Sequence, residues 1–138
     1  MLYTIDRLPS DDLAKRRTTT DDIPKPYRVA AFHLQTGEPL WEIDDDVFGT
    51  WLSYSAKHDI LVEAGRVARD TLKDEPRGVL ALNAKTGKPY PDFGTGGRVD
   101  LKVGLGPLMT EFRWTGAPLV IRDVIVIGAS MTDSPGRM

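Results

Sequence analysis

Residues 29–41 read VAAFHLQTGEPLW, and fifty positions later residues 79–91 read VLALNAKTGKPYP. In each stretch an apolar run is followed by a Thr-Gly pair, and a proline two positions after the glycine begins the next segment. The glycines, Gly37 and Gly87, stand where a tight turn needs a positive φ, and the threonine hydroxyl can bond the turn backbone. Proline lacks an N–H and is tolerated where a strand begins. The sequence therefore predicts two copies of one strand–turn–strand unit.

A repeated unit of about 40–50 residues that is rich in short strands is typical of a β-propeller blade. We therefore expect an all-β fold, a partial β-propeller of about two blades built from four-stranded antiparallel sheets. Residues 28–43 would end one blade, residues 49–93 would form a complete blade, and residues 114–130 would begin the next. The predicted strands are Arg28–Leu34, Pro39–Ile43, Gly49–Ser55, Ile60–Gly65, Gly78–Ala84, Lys88–Phe93, Thr115–Ile121 and Val124–Gly128, and Leu2–Ile5 is expected to be the end of a further short strand.

Two hairpins of similar design complete the pattern, one turning at residues 56–59 and the other at Arg122-Asp123. Trp41 is expected to pack between adjacent blades. So short a chain would be a piece of something larger, with unpaired strand edges that make it prone to associate. The alternative is an independent small β domain, of the sandwich or lectin-like type, which should not repeat its turns.

The composition excludes several classes of function. The 138 residues carry a formal charge of −2, which gives no reason to expect nucleic acid as a partner. The chain has no cysteine, so disulfides and thiolate chemistry are excluded. Asp44-Asp45-Asp46 lacks the spacing of a calcium loop, and we expect a solvated turn there. His33 and His58 are expected to have surface or packing roles.

The repeat cores, Ala31–Trp41 and Ala81–Pro89, resemble the Ala-x-Asp-x-x-Thr-Gly-x-x-x-Trp motif of propellers of the pyrroloquinoline quinone (PQQ) dehydrogenase type. The later segments are more similar still. Lys88–Gly94, Gly97–Leu101 and Ala117–Gly128 look like parts of membrane-bound quinoprotein glucose dehydrogenases and their relatives. This resemblance implies an oxidoreductase that oxidises an alcohol or sugar by hydride transfer to PQQ, with calcium as a second cofactor.

The same resemblance implies which residues meet the cofactors. The stretch from Thr115 to Asp133 is similar to one found in quinoprotein methanol dehydrogenases. By that match the Thr115 hydroxyl bonds a PQQ carboxylate, Ser130, Met131 and Thr132 lie along the quinone ring, and Asp133 is a calcium ligand. The sugar-oxidising branch has Asp-Asn where this chain has Asp133 followed by serine. Hydroxyl and carboxylate groups suit an anionic quinone and a hard cation.

The resemblance also implies what lies outside the chain. The catalytic base, an aspartate, would come from a later blade, so the piece alone is expected to be inactive. Partners would be the remaining blades, the alcohol or sugar, and a quinone or cytochrome electron acceptor, in the periplasm or on a membrane facing it. The first half, through Phe48–Ser55 and His58–Arg66, is instead similar to secreted PQQ-like repeat proteins. The alternative function is therefore a non-catalytic exported propeller of PQQ-like repeats that acts as a scaffold or an interaction module.

Overall fold

A computed structural model describes residues 1–7, 27–44, 47, 51–65, 78–101, 103, 112–114 and 116–131. These residues form eleven strands and, within the described ranges, no helix. The strands are β1 (Leu2–Arg7), β2 (Tyr27–Phe32), β3 (Pro39–Ile43), β4 (Trp51–Ser55), β5 (Ile60–Gly65), β6 (Gly78–Asn83), β7 (Arg98–Asp100), β8 (Phe112–Trp114), β9 (Leu119–Ile121), β10 (Val124–Val126) and β11 (Ala129–Met131).

The two Thr-Gly turns of the repeat have the same geometry. Gly37 and Gly87 both have a φ of 72°. The N–H of Gly37 donates to the carbonyl of His33 at 2.9 Å, and the N–H of Gly87 donates to the carbonyl of Asn83 at 2.8 Å. The hydroxyl of Thr36 accepts a bond from the backbone N–H two residues later at 3.3 Å, as the Thr86 hydroxyl does at 3.4 Å. The sequence repeat is therefore a structural repeat.

The strands around these turns form two antiparallel sheets. The first has the order β1-β2-β3 and the second the order β4-β5-β6-β7. Phe32 pairs with Pro39 in the first sheet, and Leu82 pairs with Pro89 fifty residues later in the second. The predicted strand at Leu2–Ile5 is confirmed as part of β1, which pairs along its whole length with β2 and so gives the first sheet a third strand beside the two of residues 28–43.

The fourth strand of the second sheet lies elsewhere than predicted. Lys88–Phe93 is the expected strand, but it bonds β6 only through the carbonyl of Lys88 and the N–H of Tyr90, on either side of Pro89. The chain then turns away at residues 91–93. Pro91 stands where Trp41 stands in the first repeat, and it has no N–H to extend a ladder. The chain returns to β6 six residues later than the repeat offset of fifty would place it. Val99 pairs with Val79, whereas in the first sheet Ile43 pairs with Val29.

A continuous apolar layer joins the first sheet to the second. Buried side chains of both sheets form it, with Leu61, Leu80 and Leu82 from the second sheet against Val29 from the first. Trp41 lies in this layer, and its indole N–H donates to the carbonyl of Ala84 at 3.1 Å, on the Thr-Gly turn of the next repeat. As the sequence predicts, this tryptophan connects successive repeats.

The opposite face of the second sheet carries a second apolar layer. Val62, Ala64 and Val79 are buried there against Val120 and Ile125 of the hairpin β9–β10. Because both of its faces are covered, β6 is buried at five consecutive positions, whereas a strand with one wet face would alternate. The two sheets and the hairpin therefore stack in three layers.

The predicted long hairpin of strands Thr115–Ile121 and Val124–Gly128 is broken into two ribbons. Leu119–Ile121 pairs with Val124–Val126, and further from the turn β8 pairs with β11, with Trp114 opposite Ala129. Between the ribbons, the described residues 116–118 on one arm stand against residues 127–128 on the other. Pro118 cannot donate to the ladder, which favours such a bulge. The turn also has two residues, against four at residues 56–59, so the two hairpins differ in design.

These sheets confirm the predicted fold class, an all-β partial propeller of antiparallel sheets with three or four strands. The assignment of residues 28–43, 49–93 and 114–130 to successive blades stays a prediction.

Candidate functional site

Most of the long connections lie at one end of the stacked sheets. At the other end, which we call the turn end, the strands are joined by the short segments 33–38, 56–59 and 122–123 and by the longer segment 84–97. At the opposite end, the connector end, the chain leaves one strand and enters the next through residues 8–26, 44–50, 66–77 and 101–111. Long connections on a rigid scaffold commonly carry binding residues. A site for a small molecule is therefore expected at the connector end.

The candidate cofactor residues map onto the ribbon of β8 and β11. This ribbon pairs Ser130 with Arg113 and Met131 with Phe112. β8 and β11 continue the two arms of the β9–β10 hairpin on the side away from its turn. Along the chain, Ser130 and Met131 therefore follow the arm that leads away from the turn end. Of the other candidates, Thr115, Thr132 and Asp133 lie outside the described residues.

Ionised and aromatic side chains gather at the turn end instead. The ammonium group of Lys85 lies 2.6 Å from the carboxylate of Asp59, and the hydroxyl of Tyr54 lies 3.4 Å from the same carboxylate. The hydrogen bond from Lys85 lowers the pKa of Asp59, and Asp59 in turn raises the pKa of Lys85. Burial, followed by the charges of Tyr54 and Asp59, raises the pKa of Tyr3.

One side chain at the turn end joins the second sheet to the hairpin, and another connects two turns within the second sheet. The ring of His58 contacts Arg122 and Asp123 in the turn of the β9–β10 hairpin. The hydroxyl of Tyr90 lies 3.5 Å from the carbonyl of His58 and accepts a bond from Asn83 at 3.2 Å. Sequence reasoning gave His58 only a surface or packing role, because 64 residues separate it from Arg122.

Glu63 is a buried acid that the sequence reasoning also missed. It lies in the middle strand of the second sheet, is fully buried, and pairs in register with Leu52 and Leu80. Ionised carboxylates are rarely buried without compensating interactions. The signal was present in the sequence, as a glutamate inside the apolar strand Ile60–Gly65.

An open apolar pocket of about 240 Å³ lies between the second sheet and the hairpin. Its lining is apolar apart from one carboxylate, and consists of Val79, Phe93, Val99, Leu101, Asp123, Ile125 and Ile127. Among the described residues, the lining offers no hydroxyl donor of the kind that suits an anionic quinone.

Within the described ranges, no three His, Asp or Glu side chains come together in a way that could hold a metal ion. The same part of the chain contains no helix that is long and apolar enough to cross a membrane.

Comparison with known proteins now identifies the class. Stacked antiparallel sheets with matched turns define a propeller-type repeat protein. A family model described as the β-propeller domain of glucose, ethanol and alcohol dehydrogenases, the PQQ family, matches residues 23–137, and the chain belongs to this family. Neither a curated protein nor a solved structure matches the chain. The family includes the quinoprotein dehydrogenases and PQQ-like repeats, so the resemblance seen in the sequence is confirmed at this level.

Proposed function

We propose that this chain forms one wall of the cofactor site of a PQQ-dependent dehydrogenase that oxidises an alcohol or a sugar. The observation that carries the proposal is the match of residues 23–137 to the PQQ family. The pairing of β8 with β11, which sets Ser130 opposite Arg113 and Met131 opposite Phe112, supports it because it gives the candidate residues a defined strand. The wall comprises Thr115, Ser130, Met131, Thr132 and Asp133.

The chemistry of these residues fits the cofactor. PQQ carries carboxylates and quinone oxygens, and the hydroxyls of Thr115, Ser130 and Thr132 are donors that suit both. Met131 is apolar and polarisable, and can lie against a planar ring. When bound, PQQ supplies the electrophilic carbonyl that accepts hydride. The chain's own contribution is to orient the ring and exclude water from one side of it.

Asp133 is the proposed calcium ligand. Calcium prefers hard oxygen ligands, and a carboxylate also supplies charge. A calcium ion beside the quinone would act as a Lewis acid. The chain follows Asp133 with Ser134 rather than asparagine, so we propose that the serine hydroxyl, a water or another blade supplies the next oxygen ligand.

The rest of the catalytic apparatus belongs to other parts of the protein in this proposal. The remaining blades provide the catalytic base and the other walls of the pocket. The alcohol or sugar enters from the connector end, and a quinone or a cytochrome takes the electrons. The proposed location is the periplasm or a membrane surface that faces it.

Reconstitution tests the proposal. The intact protein is mixed with PQQ and calcium, freed of excess cofactor, and examined for the absorbance of bound quinone. The parent protein is expected to retain the quinone. Asp133→Ala should lower calcium-dependent retention at least tenfold, since it removes the charged ligand. Asp92→Ala removes the same charge from an exposed turn and should behave as the parent does.

Two outcomes would contradict the proposal. If the parent retained no quinone at saturating calcium, the chain would belong to a propeller without a cofactor, which is the exported scaffold of the alternative hypothesis. If Asp133→Ala and Asp92→Ala retained quinone equally, Asp133 would not be a calcium ligand.

A further inference from the structure

The hairpin β9–β10 has the place in its layer that β4 and β5 have in the second sheet. Ile125 of β10 lies 64 residues after Leu61 of β5, and each faces the preceding layer, Leu61 the first sheet and Ile125 the second. β5 lies between β4 and β6, whereas among the described residues β10 pairs with β9 alone. In that part of the chain, the second edge of β10 therefore has no strand where β5 has β6, and we call it the free edge.

The apolar pocket of about 240 Å³ is lined by side chains of both layers, including Ile125 of the hairpin with Val79 and Val99 of the second sheet. Val79 and Val99 are paired in register, as Val29 and Ile43 are in the first sheet. The pocket therefore has the position, in the interface between the second sheet and the hairpin, that surrounds Val29 and Ile43 in the interface between the two sheets.

The interface between the two sheets shows what fills the matching space. Leu80 and Leu82 of β6 are buried there in one apolar cluster with Val29. Leu82 stands opposite Leu61 in register, and Leu80 shares its face of the strand because side chains two positions apart point the same way. A strand on the free edge of β10 that kept this register would bring two such side chains into the pocket, one of them opposite Ile125.

Backbone groups support the same placement. The carbonyl of Asp59, just before β5, accepts a hydrogen bond from the N–H of Ala84, just after β6, at 2.8 Å. Asp123 stands 64 residues after Asp59, just before β10, and lines the pocket. Alternate residues of an edge strand direct N–H and C=O groups outward, where an added strand can bond them. Main-chain bonds beside a pocket for alternate side chains are the combination that strand addition uses.

We propose that the free edge of β10 and the adjoining pocket form a binding site for one extended strand with leucine-sized side chains at alternate positions. We call this the strand site. The strand comes from the remaining blades of the same protein, so the inference rests on the proposed function only in requiring that such blades exist. The strand site binds a polypeptide and uses no cofactor.

A synthetic peptide with the sequence of residues 78–91, which includes β6, is the probe for the strand site. It is titrated into the 138-residue chain without PQQ or calcium, and amide hydrogen exchange is followed. Saturable binding is expected. At a peptide concentration of ten times its Kd, the β10 amides that face the free edge should gain about tenfold in protection. Protection of β6 in the chain itself reports that the second sheet is folded in every sample.

Two altered peptides make a matched pair of controls. Leu82→Thr changes a side chain that faces the preceding layer in β6, and Val79→Thr changes one on the opposite face of the same strand. The Leu82→Thr peptide should bind about tenfold more weakly or worse, because the burial of a leucine side chain is lost. The Val79→Thr peptide should bind as the unaltered peptide does, because its threonine would lie outside the pocket.

Several results would overturn the strand site. Equal binding by the two altered peptides would show that no side chain enters the pocket, and absence of saturable binding would show that the edge accepts no strand. Protection of the free edge without peptide would make the occupant a second copy in a dimeric sample, or another segment of this chain in a monomeric one.

The intact protein tests the source of the strand. Its β10 edge should already be protected, and the peptide of residues 78–91 should not bind. Uptake of the peptide by the intact protein would show that the remaining blades leave the site empty, which contradicts the proposal. Because these measurements contain no PQQ and no calcium, failure of the strand site is distinguishable from failure of the proposed dehydrogenase function.

Discussion

Adding one methyl group at Gly87 tests whether successive repeats are stacked. A Cβ at this position would lie 2.6 Å from Cε3 of Trp41, which belongs to the preceding sheet. The same methyl at Gly37 would meet nothing within 4 Å, and both glycines have a φ of 72°. The substitutions Gly87→Ala and Gly37→Ala therefore share the backbone strain and differ in one contact between sheets.

The magnitudes follow from this geometry. An L-residue in the left-handed region costs about 1–2 kcal/mol, offset by about 0.4–1 kcal/mol from the stiffer unfolded chain. Gly37→Ala should therefore lower the free energy of unfolding by about 1 kcal/mol. Gly87→Ala should cost a further 1–3 kcal/mol or so, because overpacking a filled interface forces side chains to move. Trp41 cannot move freely, because its indole N–H bonds Ala84 at 3.1 Å.

The assay is urea denaturation of the intact protein followed by circular dichroism, which does not depend on tryptophan emission. A double-mutant cycle isolates the contact: in a Trp41→Ala background, Gly87→Ala should cost no more than Gly37→Ala. Equal losses of stability from Gly87→Ala and Gly37→Ala in the parent would refute the packing of Trp41 on the turn of the next repeat.

Two further predictions concern a charged pair and the core. Lys85→Met should raise the pKa of Asp59, measured by carboxyl NMR titration, since the bond from Lys85 holds it low. A lowered carboxyl pKa stabilises the folded protein at neutral pH, and this stability is lost as pH falls through that pKa. Lys85→Met should therefore lose the part of the acid dependence of stability that Asp59 contributes. An unmoved Asp59 pKa would contradict the prediction. Leu80→Ala removes a side chain that is 1% exposed and should cost about 2–5 kcal/mol in urea unfolding. Leu34→Ala, at a position 63% exposed, should change stability by less than about 0.5 kcal/mol, and similar losses from both would overturn the assignment of the core.

Local signals in the sequence predicted most of the fold. The Thr-Gly turns depend on a few neighbouring residues, and both form as expected with the same φ. Trp41 was placed between repeats because the repeat implied a neighbour for it. The failures come from interruptions within strands. Pro91 removes a donor in the expected fourth strand, and nothing nearby in the sequence marks Arg98–Asp100 as its replacement.

The candidate site was less accessible to sequence reasoning. Residue types alone make Ser130 part of an ordinary polar loop, and its role rests on family resemblance. The register of β11 with β8 depends on pairing across the whole hairpin, including its bulge. Contacts such as that of His58 with Asp123 depend on how layers stack, and no local pattern encodes them.

A crystal structure of the intact protein with PQQ and calcium bound tests the central claim most directly. We expect the quinone at the connector end, with Ser130 and Met131 along its ring and a calcium ion on the carboxylate of Asp133. A quinone bound elsewhere, or β11 on the outer rim away from the bound cofactor, would contradict the account.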